Sequence, residues 1–424
     1  MKHLALAAAI LALPLSAQGT PAQTDPAPSP NQIVEQASAE EWVAIPADHL
    51  LVMTLAPDRD GNPRQVVIQL MPAPFSQGWI DNIRILARAG WYDGITINRV
   101  QDNYVVQWGD PNSDNPESEG AAKPLPEGLK VMREEAYTID VEELSLIDSE
   151  PIASALLDKD RSPPELSPEQ AAAMRKVEEV FNNPESTEAE HRAAIEALFS
   201  ASGLFGISDA DAPAYISIQS TRRPYATQGW HQRDSVSEWV EFWRGWPIGN
   251  FEKGVSFDAE GNPLLHLPLE AEREDYHQEV GESRFWPVHC YGMVGVGRGM
   301  SPDTGSGAEL YTVIGHAPRH LDRNIALVGR IVEGMEYLSS LPRGSGALGF
   351  YTADEADKRT PILSVRLASD LAEAPVFEYL STESETFERY IDARANRRDP
   401  FFIVPAGGAD ICNVPVPVRR VSMP

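Results

Sequence analysis

Apolar positions along the chain fall into two spacings, and their order sketches a fold. Leu50 to Leu55 and Val66 to Met71 are short, β-prone runs joined by Asp58-Arg59-Asp60-Gly61-Asn62-Pro63. An Asp-Gly joint between two such runs predicts a hairpin. The spacing then changes between Phe75 and Ala89, where Trp79, Ile80, Ile83, Leu86 and Ala87 recur at helical intervals ahead of Gly90. That pattern predicts an amphipathic helix with a glycine stop. A second hairpin follows: Ile97 to Val100, a polar turn at Gln101-Asp102-Asn103, and Tyr104 to Gln107, closed by Gly109-Asp110-Pro111. Arg99 and Gln107 are long polar side chains set into this β-prone sequence. Paired strands place alternate side chains on one face, so both can look into the same groove.

Past Asp110 the pattern loosens, with room for one strand between Lys123 and Thr138. From Asp140 to Ser200 there are 15 acidic and 5 basic residues, a net of −10. Ser167-Pro168-Glu169-Gln170 reads as a capping box with proline at the first helical position. Met174, Val177 and Phe181 form the stripe behind it, and Thr187 to Glu190 repeats the signal before Ile195, Leu198 and Phe199. Two short acidic helices are expected there. Trp230, Trp239, Trp243 and Trp246 come next. They predict a local core, with an aromatic client-binding surface as the alternative. Strand-like runs resume at 288–297 and 306–314, and Ile362 to Leu367 is the last of them; Glu336 to Leu341 and Phe387 to Arg397 have helical spacing. Val414-Pro415-Val416-Pro417-Val418 is an extended segment.

Composition narrows the class. A chain of 424 residues with 42% hydrophobic residues and nine tryptophans has the material for a large core. Its net charge of −28 repels phosphates, which argues against nucleic acid or an anionic membrane as partner. Met1-Lys2-His3, the apolar run Leu4 to Leu15 and the small residues after it have the form of a secretory signal peptide over 1–19. No other run is apolar enough to enter a membrane stably, so a periplasmic or secreted protein is expected. Thr20 to Gln32 is rich in Pro, Ala, Thr and Ser, which predicts a flexible linker over 20–45. The two cysteines, Cys290 and Cys412, suit an oxidising compartment either as one disulfide or as two buried thiols.

Other chemistries lack their context. Gly295, Gly297 and Gly299 have dinucleotide-fingerprint spacing, but Met300-Ser301-Pro302-Asp303 is a loop where the phosphate-capping helix should begin. His316 and His320 are four apart, yet Pro318 between them disfavours a shared helical face for a metal. No Gly-x-Ser-x-Gly elbow is present.

The hairpin around Arg99 resembles the signature of the cyclophilins. Arg99 falls on that family's catalytic arginine, and Tyr104, Val105 and Gln107 fall on its pocket Phe, Met and Gln, with Trp108 in place of a glycine. The resemblance resumes at Val296-Gly297-Arg298, on the substrate groove, and at Leu310-Tyr311-Thr312-Val313, where Tyr311 takes the place of the aromatic flooring the proline pocket. His320-Leu321-Asp322 and Ala326-Leu327-Val328-Gly329-Arg330-Ile331-Val332-Glu333-Gly334-Met335 then match the family's Trp-Leu-Asp and Phe-Gly-Lys-Val segments in register. Further departures are Glu309 for Gln, Ile325 for His, Arg298 for Asn and His320 for Trp.

The resemblance implies a mainly β protein: a cyclophilin-like closed, eight-stranded antiparallel barrel with capping helices. Its halves would be 46–137 and 286–370, separated by an α-helical or mixed acidic subdomain at 138–285 and followed by an extension at 371–424. The implied activity is peptidyl-prolyl cis-trans isomerisation of exported clients. Arg99 would stabilise the twisted amide and Gln107 would hold the carbonyl. Tyr104, Val105, Tyr311 and Leu321 would form the proline pocket, beside Gly297, Arg298, His320 and Ile325. Such a rotation needs no metal or cofactor. The alternative is a proline-segment-binding chaperone module with little or no turnover.

Overall fold

The computed structural model describes residues 27–113, 118, 120–140, 236–237, 239–251, 256–257, 263–264, 284–404 and 407–421. The expected signal peptide and the expected helices between 167 and 203 lie outside them.

The first hairpin pairs β2 (Leu50–Leu55) with β3 (Arg64–Leu70), after a short β1 (Trp42–Ala44). Asp58 builds the turn by accepting the backbone N–H groups of Asp60 at 2.9 Å and Asn62 at 2.8 Å, with Gly61 at φ +84°. The near-continuous apolar sequence of β2 reflects burial on both faces. Leu51, Met53 and Leu55 point into the main core, while Leu50 and Val52 join Val67, Ile45 and Phe377 in a second cluster. Helix α2 (Gln77–Arg88) buries Trp79, Ile80, Ile83, Leu86 and Ala87, the stripe read from the sequence, and Gly90 ends it at φ +63°. Trp79 is fully buried, and its indole N–H donates to the carbonyls of Thr304 and Gly305.

The second hairpin is β4 (Thr96–Val100) with β5 (Val105–Gly109). No strand forms between Lys123 and Thr138: that stretch ends in a 3₁₀ turn at Glu134–Tyr137, ahead of β6 (Ile139–Asp140). Of the segment expected to be inserted, the described part is β-sheet. It contains β7 (Trp239–Trp243), β8 (Trp246–Phe251), the two-residue β9 (Ser256–Phe257) and β10 (Pro263–Leu264), and β11 (Arg284–Pro287). The order β6-β11-β8-β7 brings its two chain crossings side by side. Trp243 and Trp246 are buried, Trp243 edge-on to Phe75 at 5.4 Å, so these two serve a core and offer no aromatic surface.

The second half of the barrel is β12 (Met293–Val296), β13 (Leu310–Val313), β14 (Leu327–Glu333) and β15 (Ile362–Leu367), with the short helix α3 (Met335–Ser339) after β14. The two halves interleave in one antiparallel sheet, β15-β2-β3-β14-β12-β13-β5-β4. Its ends meet: Ile362 N–H donates to Ile95 at 2.8 Å, and Gly94 N–H donates to Ile362 at 2.9 Å. The closed eight-stranded barrel is therefore the one the sequence pointed to. Closure removes the sheet edges that an open array would expose.

Residues 30–45 are not a linker. Helix α1 (Pro30–Glu35) is opened by a Ser29/Gln32 capping box and buries Ile33. It packs on α4 (Glu385–Ala395), and β1 joins β16 (Val376–Leu380) and β17 (Val418–Val421) in a three-stranded sheet. Glu41 accepts the Thr386 backbone N–H at 3.0 Å in the first turn of α4. Proline and serine here serve as helix-start residues, the same chemistry that elsewhere marks a coil. Cys290 and Cys412 form a disulfide, which ties the C-terminal segment to the approach to β12. Arg330 of β14 joins the insertion's sheet to the barrel. Its Nε donates to Gln69 at 2.8 Å, its Nη1 donates to the Gly245 carbonyl at 2.7 Å, and its guanidinium lies 4.6 Å from the Trp246 ring. Burial there lowers its pKa to about 10.

Candidate functional site

Strand alternation sorts the β4–β5 hairpin into two faces. Val106 and Trp108 point into the barrel core, and Trp108 is 1% exposed. Val105 and Gln107 take the opposite face. Trp108, which stands in place of the family's glycine, therefore fills the barrel with its indole and leaves the groove clear. A bulge between Ile97 and Arg99 sets Arg99 opposite Gln107, and Gln107 in turn lies opposite Tyr311 on β13.

The Arg99 guanidinium is fixed on three sides. Nη1 donates to Gln107 Oε1 at 2.9 Å, Nε donates to the Leu348 carbonyl at 2.7 Å, and Nη2 donates to Gln101 Oε1. It also lies 5.6 Å from the centre of the Tyr104 ring and 5.5 Å from that of Phe350. Burial pulls its pKa down from the usual arginine value, against Tyr104 and Glu309, and an arginine so placed stays charged. Leu348 and Phe350 belong to a strap, 344–351, whose Gly344 and Tyr351 N–H groups bond Val100 and Asn98 on the rim of β4. The sequence reading missed this strap. Its Gly344, Gly346 and Gly349 were the available signal, because each passes within van der Waals reach of neighbouring backbone.

Beside Arg99 lies an apolar slot. Val105, Tyr311 and Val313 form a buried cluster of their own, with Tyr104, Leu321 and Ile325 packed on it half-buried. Residues from both halves of the chain meet here because β13 pairs directly with β5, which sets Tyr311 and Val313 opposite Gln107 and Val105. His320 is exposed and stacks on Tyr104 with ring centres 6.1 Å apart. The far end of the groove is more occupied. Gln107 Nε2 donates to Glu309 Oε1 at 2.7 Å, so the amide bridges Arg99 and a carboxylate. Gly297 N–H donates to the Glu309 carbonyl at 2.8 Å, and Arg298 turns its guanidinium onto the carbonyls of Asn324 and Gly299.

Behind the slot, Asp322 accepts from His289 and from Arg319. Burial alone would raise the Asp322 pKa, but the hydrogen bonds and charges of His289 and Arg319 outweigh it and hold the carboxyl below its ordinary value. A carboxylate depressed in the folded state stabilises above its unfolded pKa of about 3.9, and that stability is lost as pH falls through the folded value. Acidification below about pH 4 is therefore expected to destabilise the wild type more steeply than Asp322→Asn. Parallel melting-temperature curves for the two proteins would contradict this.

A fixed guanidinium beside an apolar slot can seat a small apolar group and place a charged donor next to it. Residues 65–150 match the family profile described as cyclophilin type peptidyl-prolyl cis-trans isomerase/CLD, a span that includes Arg99 and Gln107. Among solved structures the chain is similar to cyclophilin AquaCyp293 from Hirschia baltica, with a TM-score of 0.48 and 16% identity over 91% of this chain and 98% of that one. No match was found among curated proteins.

Proposed function

With a barrel of the cyclophilin type as premise, we propose that this protein catalyses cis-trans rotation of Xaa-Pro bonds in exported polypeptides, through Arg99 and the slot beside it. Amide resonance sets a rotation barrier of about 18–20 kcal/mol. In the twisted state resonance is lost, and the prolyl nitrogen regains a lone pair that accepts a hydrogen bond. Arg99 would supply that bond preferentially to the twisted state, the condition for catalysis. Tyr104, Val105, Tyr311 and Leu321 would seat the pyrrolidine ring, and the second N–H of Gln107 Nε2 would hold the neighbouring carbonyl. The single observation carrying this reading is the guanidinium fixed against Gln107 and Tyr104 at the mouth of the slot. The clients would meet it in the periplasm or outside the cell.

Exchange spectroscopy by NMR on a proline peptide with substoichiometric protein tests the reading. Faster cis-trans exchange than in peptide alone is expected, and exchange at the uncatalysed rate would refute it. A second reading, a barrel that grips proline segments without turnover, draws support from the Gln107–Glu309 bond, which occupies one donor of the amide. Aggregation suppression that survives Arg99→Ala but disappears with 138–285 would favour it.

A further inference from the structure

Beneath the slot runs a row of buried polar groups that amide rotation does not itself use. The Tyr311 hydroxyl lies 2.9 Å from His289 Nε2, and His289 Nδ1 lies 2.9 Å from Asp322 Oδ1. The same oxygen accepts the His289 backbone N–H at 2.9 Å, and Arg319 Nε donates to Asp322 Oδ2 at 2.7 Å. His289 and Asp322 are each 1% exposed, and Tyr311 is 4% exposed. An ionised carboxylate only accepts. Nδ1 of His289 therefore carries a hydrogen; in the neutral imidazole Nε2 then presents its lone pair, and the Tyr311 hydroxyl donates to it.

Two further features fit this arrangement. A Cβ at position 295 would stand 2.3 Å from the Tyr311 hydroxyl oxygen, so Gly295 leaves the space through which the phenol reaches His289. Cys290, the next residue after His289, is bonded to Cys412, so the segment carrying the imidazole is anchored covalently. The phenol ring is held at both ends: its Cβ by strand β13 and its oxygen by His289.

We infer that His289 is a positioning residue of the proline slot, holding Tyr311 through a tautomer that Asp322 fixes, so that the phenol ring is a set wall for the pyrrolidine. This inference rests on the isomerase reading of the slot. A wall that must be ordered at each encounter weakens binding of planar and twisted states alike, so the cost falls on KM and leaves kcat nearly unchanged.

The test is a double-mutant cycle. Xaa-Pro isomerisation kinetics and the Kd of the same proline peptide are measured for wild type, His289→Phe, Tyr311→Phe and the double variant, with His289→Gln as the conservative change. In the Tyr311 background, His289→Phe is expected to raise KM and Kd about 10-fold while kcat stays within about threefold. His289→Gln keeps an acceptor and is expected to recover most of the loss. In the Tyr311→Phe background there is no hydroxyl to hold, and His289→Phe is expected to shift either constant by less than about twofold. Equal losses in both backgrounds overturn the inference, as does an unchanged KM in folded His289→Phe. If His289→Phe does not fold, the same cycle with His289→Leu, which also removes the acceptor, decides, and an identical KM shift with and without the hydroxyl overturns it. Equal rates for wild type and Arg99→Ala would instead remove the isomerase reading, and the cycle on Kd would still decide the role of His289.

Discussion

Replacing Arg99 by alanine is expected to lower kcat/KM for Xaa-Pro isomerisation by about 100-fold or more, the usual cost of removing one donor aimed at a transition state. The loss should fall on kcat, because the apolar slot of Val105, Tyr311 and Val313 is untouched. Arg99→Lys is the sharper experiment. The guanidinium presents donors in one plane to the Leu348 carbonyl, Gln107 Oε1 and Gln101 Oε1, and a lysine ammonium on a flexible stem cannot reproduce that fork. A lysine variant close to alanine in rate identifies geometry as the active element, and a lysine variant close to wild type would reduce the role of Arg99 to charge. Either substitution should change stability only modestly, since Arg99 and Gln101 are half-buried, Leu348 is exposed, and the buried Gln107 keeps its bond to Glu309. Stopped-flow isomerisation of a proline peptide and thermal melting of the same samples separate these outcomes.

The second large effect concerns stability. Cys290 and Cys412 are 122 residues apart in sequence, so their bond closes a long loop in the unfolded chain. The chain-entropy argument, together with measured losses of native disulfides, places the cost of removing it at about 2–5 kcal/mol. Cys290→Ser with Cys412→Ser is therefore expected to lower the denaturation midpoint markedly. The loosening should concentrate in the C-terminal segment, where Ile411 and Val414 are packed in the main core. Hydrogen exchange that rises first around 411–421 would agree with this. A double variant as stable as wild type would show that packing alone anchors the tail.

How much was legible in the sequence depended on whether a residue's role was local. Strands β2 to β5, β12, β13 and β15 were readable because runs of aliphatic and β-branched residues are bounded by turn chemistry such as Asp58 and Gly61, whereas β14 followed from the resemblance. Arg99, Gln107, Tyr104, Val105, Tyr311, Leu321 and Ile325 come together in the folded chain, and their placement followed from resemblance along ordered segments. Matching Trp108 to a family glycine says nothing of which strand face it takes; period-2 alternation puts it with Val106 on the core face. Residues 30–45 were misjudged because composition was weighed above the Ser29/Gln32 capping box. The His289–Asp322 pair spans 33 residues and the Arg99–Leu348 bond spans 249, and no periodicity reports such partners. The strap over Arg99 and the row of groups behind Tyr311 therefore became visible only with the fold.

The central claim is that Arg99 meets the proline of a bound peptide at a slot built from both halves of the barrel. A crystal structure of the protein with an Ala-Pro-containing peptide tests it most directly. The account predicts the pyrrolidine ring against Val105, Tyr311 and Leu321, with an Arg99 guanidinium nitrogen within hydrogen-bond reach of the Xaa-Pro bond. A peptide bound elsewhere, or seated in the slot while Arg99 keeps only its Leu348, Gln101 and Gln107 partners and faces away, would contradict it.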